Sequence, residues 1–243
     1  MQPLSFRSLV PWVLKRRYHR FKLDRVLRPA LSEFAADPVA AAGNVELLQT
    51  LVRAWGNISY SAMPEYLAAL VAATATARGD ILECGSGLST VLLAIAARKA
   101  GVRVWSLEHI PKWKSRVERA LRQRGDGTAH IVDAPLKQYD GFWWYDVSRL
   151  PPHLTFDMVV CDGPPADTPG GRYGLLPIIG PRLMEGAAIF MDDAARPDEL
   201  AIMRRWSEDE GGTFTVKGTE KPFAIFLPDR SVANGVGGRE TLE

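Results

Sequence analysis

The chain has 243 residues, 47% of them apolar and 24% charged, enough for one well-packed α/β domain with a helical extension. Its net charge of +2 is unevenly spread: residues 1–28 carry Arg7, Lys15, Arg16, Arg17, Arg20, Lys22, Arg25 and Arg28 against Asp24 alone, which leaves the remainder at −5. A body of that sign excludes a nucleic-acid substrate gripped along a basic face, and no apolar stretch approaches the roughly 20 residues that span a bilayer.

Apolar residues from Leu4 to Leu14 precede the basic cluster, so residues 1–28 read as an amphipathic helix. Two readings stay open: a peripheral contact with the inner face of a membrane, or packing on the protein's own domain or a partner, a second copy included. No cleavage-site pattern follows, so a cytoplasmic protein is expected. Asp37-Pro38 marks a break. Helical spacing then runs over 44–55 and 63–77, with Pro64 in a first turn. Between those helices lie Asn57, Ser59 and Ser61.

From Ile81 onward the pattern alternates. Strands are expected at 80–84, 102–108, 129–133, 156–162 and 187–192, and helices at 88–100, 111–123, 173–184 and 197–210. Such alternation predicts a parallel sheet covered on both faces, with ligands at the carboxyl ends of the strands. Two last strands, 213–217 and 223–227, are too close together for a helical crossover and should pair antiparallel. Domain bounds follow as an extension at 1–55, a ligand-binding domain at 56–230 and a Gly-rich tail at 231–243. Cys84 and Cys161, both at strand ends, suit a reducing compartment and small buried side chains, with no metal or disulfide role.

The first strand ends Glu83-Cys84-Gly85-Ser86-Gly87, and Ser89 and Thr90 follow at the start of a helix. Glycines there let backbone N–H groups approach a ligand with no Cβ between. Strand 102–108 ends in Glu108, 21 residues past Gly87, where an acid can take both hydroxyls of a ribose. A dinucleotide fingerprint would place a third glycine where Thr90 stands, so the pattern favours a cationic amino-acid nucleoside over a pyrophosphate.

Glu83-x-Gly85-x-Gly87 followed by Glu108 resembles the class I S-adenosylmethionine-dependent methyltransferases, over about residues 57–227. The resemblance implies a Rossmann-like, doubly wound, seven-stranded, mostly parallel sheet with an antiparallel last strand, behind the N-terminal helical extension. It implies Glu83 on the ammonium of the cofactor's methionine, directly or through water, backbone contacts from Gly85, Ser86 and Gly87, and Ser89 near the carboxylate. Glu108 would hold the ribose, His109 and Ile110 would flank the adenine, and Asp133 would accept from its amine.

Asp162 closes the fourth strand where the methyl would point and is the expected catalytic residue, orienting or deprotonating an acceptor. Asp192 and Asp193 end the next strand on the same edge. The three acids resemble the magnesium site of the catechol-type O-methyltransferases, but Gly163-Pro164-Pro165 stands where that group has a lysine. Helix capping near Pro197 and pairing with Arg172 or Arg196 explain Asp192 and Asp193 equally well. Phe142, Trp143 and Trp144 would wall an acceptor pocket or plug the core. The implied activity is methyl transfer to a small molecule, onto oxygen. A non-catalytic module that binds the cofactor or a membrane is the alternative, and a dehydrogenase lacks support because the ligand-binding domain has no Tyr-x-x-x-Lys pair.

Overall fold

The structure is a computed structural model that describes residues 12–57 and 61–229. Residues 1–11, Ser59 and the Gly-rich tail therefore lie outside the described residues. Four helices come first: α1 (Trp12–Ala36), α2 (Pro38–Ala42), α3 (Val45–Trp55) and α4 (Pro64–Ala75). The break falls at Asp37, whose carboxylate accepts from the Ala40 N–H and caps α2. Ala30, Leu31 and Phe34 of α1 are buried with Leu48 and Leu51 of α3, so the second half of α1 packs on its own domain, whereas Phe21 and Val26 are exposed. Among the described residues no helix is long and apolar enough to cross a membrane.

The alternating region follows: β1 (Asp80–Cys84), α5 (Leu88–Ala100), β2 (Val104–Glu108), α6 (Pro111–Gln123) and β3 (Ala129–Asp133). A short hairpin, β4 (Leu136–Gln138) and β5 (Trp143–Tyr145), leads to β6 (Phe156–Cys161), α7 (Leu175–Ile179), β7 (Leu183–Met191) and α8 (Pro197–Glu210). The last strands of the described residues are β8 (Thr213–Lys217) and β9 (Phe223–Leu227). Seven strands form one sheet in the order β3-β2-β1-β6-β7-β9-β8. All are parallel except β9, which runs antiparallel to β7 and β8. The expected doubly wound sheet with a reversed last strand is what forms.

Strand periodicity sorts the core into two layers. Ile81 and Val104 face α3 to α6. Leu82, Cys84, Leu107 and Val159 face the other way, toward α7, α8 and the hairpin.

The helix over 173–184 shrinks to five residues and a 3-10 turn at Gly180–Arg182, because Pro181 has no N–H to donate and its ring opposes a continuing helix. β7 then begins earlier than expected, at Leu183. Trp143 and Trp144, expected either to wall a pocket or to plug the core, lie on the second strand of the hairpin, which turns at Gly141 with φ of 80°. Trp144 and Tyr145 are fully buried while Trp143 is partly exposed, so Trp144 plugs the core and only Trp143 faces outward.

Candidate active site

Five parallel strands end at one level. The register pairs Asp133 with Glu108, Leu107 with Cys84, Cys84 with Cys161 and Cys161 with Met191. The next residues, Gly85, Asp162 and Asp192, therefore share the edge with Glu108 and Asp133. At ordinary strand spacing Glu108 and Asp162, two strands apart, are separated by about 10 Å.

Glu83 shares a face of β1 with Ile81, beneath the first turn of α5. It is fully buried, and its carboxylate accepts from the hydroxyls of Ser89 (2.6 Å), Thr90 (2.6 Å) and Ser106 (2.7 Å). Ser106 is its register partner on β2. Thr90 also accepts from the Gly87 N–H at 2.8 Å, which links the acid to the glycine loop. Glu83 has no surface to offer a ligand and holds the loop from below, where the resemblance puts it on the cofactor's ammonium; Ser89 likewise points inward.

Burial pushes the Glu83 carboxyl up to about 7, against three hydroxyls that lower it. The folded chain thus holds this proton more tightly than the unfolded one. Its contribution to stability is full below about 4.5 and falls by about 3 kcal/mol as pH rises toward 7. Denaturation of Glu83→Gln on either side of that window should show this slope removed; an unchanged slope would refute the assignment.

Gly85 has φ of 93°, a region in which side chains are strained. Gly87 is extended, and a Cβ there would meet only Ser89 Oγ, at 3.7 Å, so open space lies before the loop. Glu108 orders that loop from β2: its Oε2 accepts from the Ser86 N–H (3.1 Å) and hydroxyl (2.7 Å), and its Oε1 from the Ile110 N–H (2.8 Å). From α6, Trp113 Nε1 donates to the Ser86 carbonyl. Periodicity alone did not single out Trp113.

Ile110 is a large apolar side chain left 46% exposed beside this acid. His109 Nδ1 and the Tyr145 hydroxyl are buried with no hydrogen-bond partner among the described residues. A Cβ at Gly163 would collide with that hydroxyl. Orphaned polar atoms, an open glycine loop and an apolar face beside a carboxylate fit an adenosyl ligand. Asp133 shares the edge but pairs with Arg149.

Asp162, Asp192 and Asp193 offer oxygens within 4.8 Å of one another. Arg172, 3% exposed, lies under them. It donates to the carbonyls of Asp192 (2.6 Å), Asp162 (3.3 Å) and Cys161 (3.4 Å), and to Asp193 Oδ2 (3.2 Å). Arg196 reaches the same Asp193 oxygen at 3.0 Å, and buried Glu199 faces Arg172 Nε at 3.8 Å. Neither acid caps α8, whose N-cap is Arg196 without a side-chain bond.

Lys221 donates to Asp192 Oδ2 at 2.7 Å and lies 3.0 Å from Asp193 Oδ1. It comes from the β8–β9 turn, which the reversed strand returns to this edge. Asp192 Oδ1 accepts from the Asp193 N–H at 2.8 Å. Every oxygen of Asp192 and Asp193 is thus engaged, so the donor set does not fit a magnesium ion that requires oxygens at 2.0–2.1 Å in octahedral array.

Asp162 remains the accessible acid, its side chain 24% exposed and 3.6 Å from Arg172. Burial, then the charges of Asp192 and Asp193, push its carboxyl well above the usual range, while Arg172 and Lys221 oppose them. Burial also pushes Cys161 up to about 12 and Cys84 well above a free thiol, so neither is a nucleophile.

Residues 82–194 match the family model described as a methyltransferase domain. No curated protein matches the chain. Among solved structures, a methyltransferase from Podospora anserina is 15% identical, covers 94% of this chain and 99% of its own, and superposes with a TM-score of 0.56. An O-methyltransferase from Bacillus cereus is 16% identical over 77% and 91%, at 0.55. The O-methyltransferase TomG from Streptomyces achromogenes is 20% identical over 82% and 89%, at 0.51. At such identities the likeness is one of fold, the doubly wound sheet of the class I S-adenosylmethionine-dependent methyltransferases, and the methyltransferase-domain match covers residues 82–194 of the chain.

Proposed function

We propose that the protein transfers a methyl group to an oxygen of a small molecule, with Asp162 as the proton acceptor. The observation that carries this is the level at which the strands end, which sets Glu108, the glycine loop and Asp162 along one edge. The similar structures include two described as O-methyltransferases, from Bacillus cereus with SAH and from Streptomyces achromogenes with SAM.

S-adenosylmethionine supplies an electrophilic methyl on a sulfonium when bound. Glu108 would turn from Ser86 and Ile110 to the ribose, Ile110 and His109 would flank the base, and the loop around Gly85 and Gly87 would face the methionine portion. Asp162 would then hold the acceptor hydroxyl in line. Asp162 would take the proton that the acceptor oxygen releases on forming its bond to the methyl carbon, with the electron pair of the carbon–sulfur bond kept by the sulfur. Trp143, exposed and joined through its backbone N–H to the Pro169 carbonyl of the loop before α7, would wall an aromatic or sugar-like acceptor.

Calorimetric titration with S-adenosylmethionine and its demethylated product, followed by a screen of hydroxyl acceptors, tests this reading. Glu108→Gln should weaken cofactor binding on the order of 10- to 100-fold, the value of hydrogen bonds to a charged group. Unchanged affinity in that variant, or no binding by the wild type, would reject the assignment.

A further inference from the structure

The acids of this edge have a cation of their own. The Lys221 ammonium bridges Asp192 Oδ2 and Asp193 Oδ1 at 2.7 and 3.0 Å, and the remaining oxygens of both acids accept from the Asp193 N–H, Arg172 and Arg196. An ion bound there would have to expel the ammonium. Lys221 is not sealed in: its side chain is 29% exposed, and an ammonium has three donors of which the two acids take two. It is also close enough to Asp162 to lower that acid's proton affinity. The reversed β9 makes this placement possible, since its leading turn returns to the edge where the parallel strands end.

We propose that the Lys221 ammonium stands where a divalent ion would and donates its third hydrogen bond to the acceptor oxygen, so that methyl transfer here needs no metal. The inference rests on the methyltransferase reading above. A fixed ammonium beside the acceptor hydroxyl favours the charge that develops as its proton moves to Asp162, the role a preorganised donor plays at an oxyanion. Lys221 is then a catalytic residue in contact with substrate, whereas Arg172 and Arg196 position the acids.

The decisive probe is Mn2+, titrated calorimetrically into the full chain, because it requires no acceptor. The wild type and Lys221→Arg should bind no Mn2+ at millimolar concentration. Lys221→Met, which leaves the acids one cation short, should bind it. Tight Mn2+ binding by the wild type, or none by Lys221→Met, would overturn the proposal. With an acceptor in hand, excess chelator should leave the wild-type rate unchanged, and Lys221→Met should lose about 100-fold in kcat. Its affinity for the demethylated cofactor should be unaltered. Loss of activity on chelation, restored by Mg2+, would defeat the metal-free mechanism, as would a Lys221→Met enzyme of normal kcat. Failure of the wild type to bind the demethylated cofactor would sink the methyltransferase reading, leaving the Mn2+ result to stand on its own.

Discussion

Asp162→Asn should lower kcat on the order of 10²- to 10⁴-fold, the contribution of a positioned general base, while binding of the demethylated cofactor stays close to wild type. Asparagine keeps the size of the side chain and its place on the edge between Gly85 and Asp192, but it cannot accept the proton. Asp162 shares its surroundings with Asp192 and Asp193, which raise its proton affinity beyond the effect of burial, and with Arg172 and Lys221, which lower it. As a base it must be ionised, so the rate should climb with pH through a limb above the ordinary carboxylate range. Lys221→Met removes a lowering charge and should move that limb higher still. A pH–rate profile of each protein checks the direction. An Asp162→Asn variant with wild-type kcat, or one that has lost cofactor affinity in proportion, would refute the assignment.

Arg172→Met should cost stability of about 3–5 kcal/mol, as breaking a buried ion pair by removing one partner does. Arg172 satisfies the carbonyls of Cys161, Asp162 and Asp192 and pairs with Asp193 in a nearly closed environment. Glu199, also buried, faces it. Removal leaves the carbonyls of Asp162 and Asp192 without this donor and takes one cation from buried Asp193 and Glu199. Arg196 pairs with two of the same acids but is half exposed, so Arg196→Met should cost no more than about 1 kcal/mol. Chemical denaturation of the two variants makes the comparison. Equal losses would show that burial of Arg172 is not what matters.

Parts of the edge were open to sequence reading for a simple reason. Parallel strands joined by helices all end on the same side, so an acid placed last in an apolar run is delivered there without any knowledge of packing. Glu108, Asp133, Asp162 and Asp192 reach the edge by this rule. β1, α5, α6, β3, α8, β8 and β9 also fall where periodicity puts them, since each is long enough to show its repeat. The β4–β5 hairpin has three-residue strands, too short for a period, and α7 fails because Pro181 interrupts an otherwise apolar helical pattern.

Whether an acid meets a ligand or a neighbour was decided elsewhere. Glu83 looks like a ligand contact in the linear motif, yet strand alternation turns it beneath α5, where Ser89, Thr90 and Ser106 consume it. Asp192 and Asp193 end a strand as any metal-binding pair would, but Lys221, 29 residues from Asp192, closes on them from the turn before a reversed strand. The sequence by itself determined the order of the elements, the glycine loop and the row of acids, because these follow from local periodicity and from chain direction. Only the tertiary structure decided which carboxylates are already satisfied, because buried charge must find a partner and that partner is set by how distant segments pack.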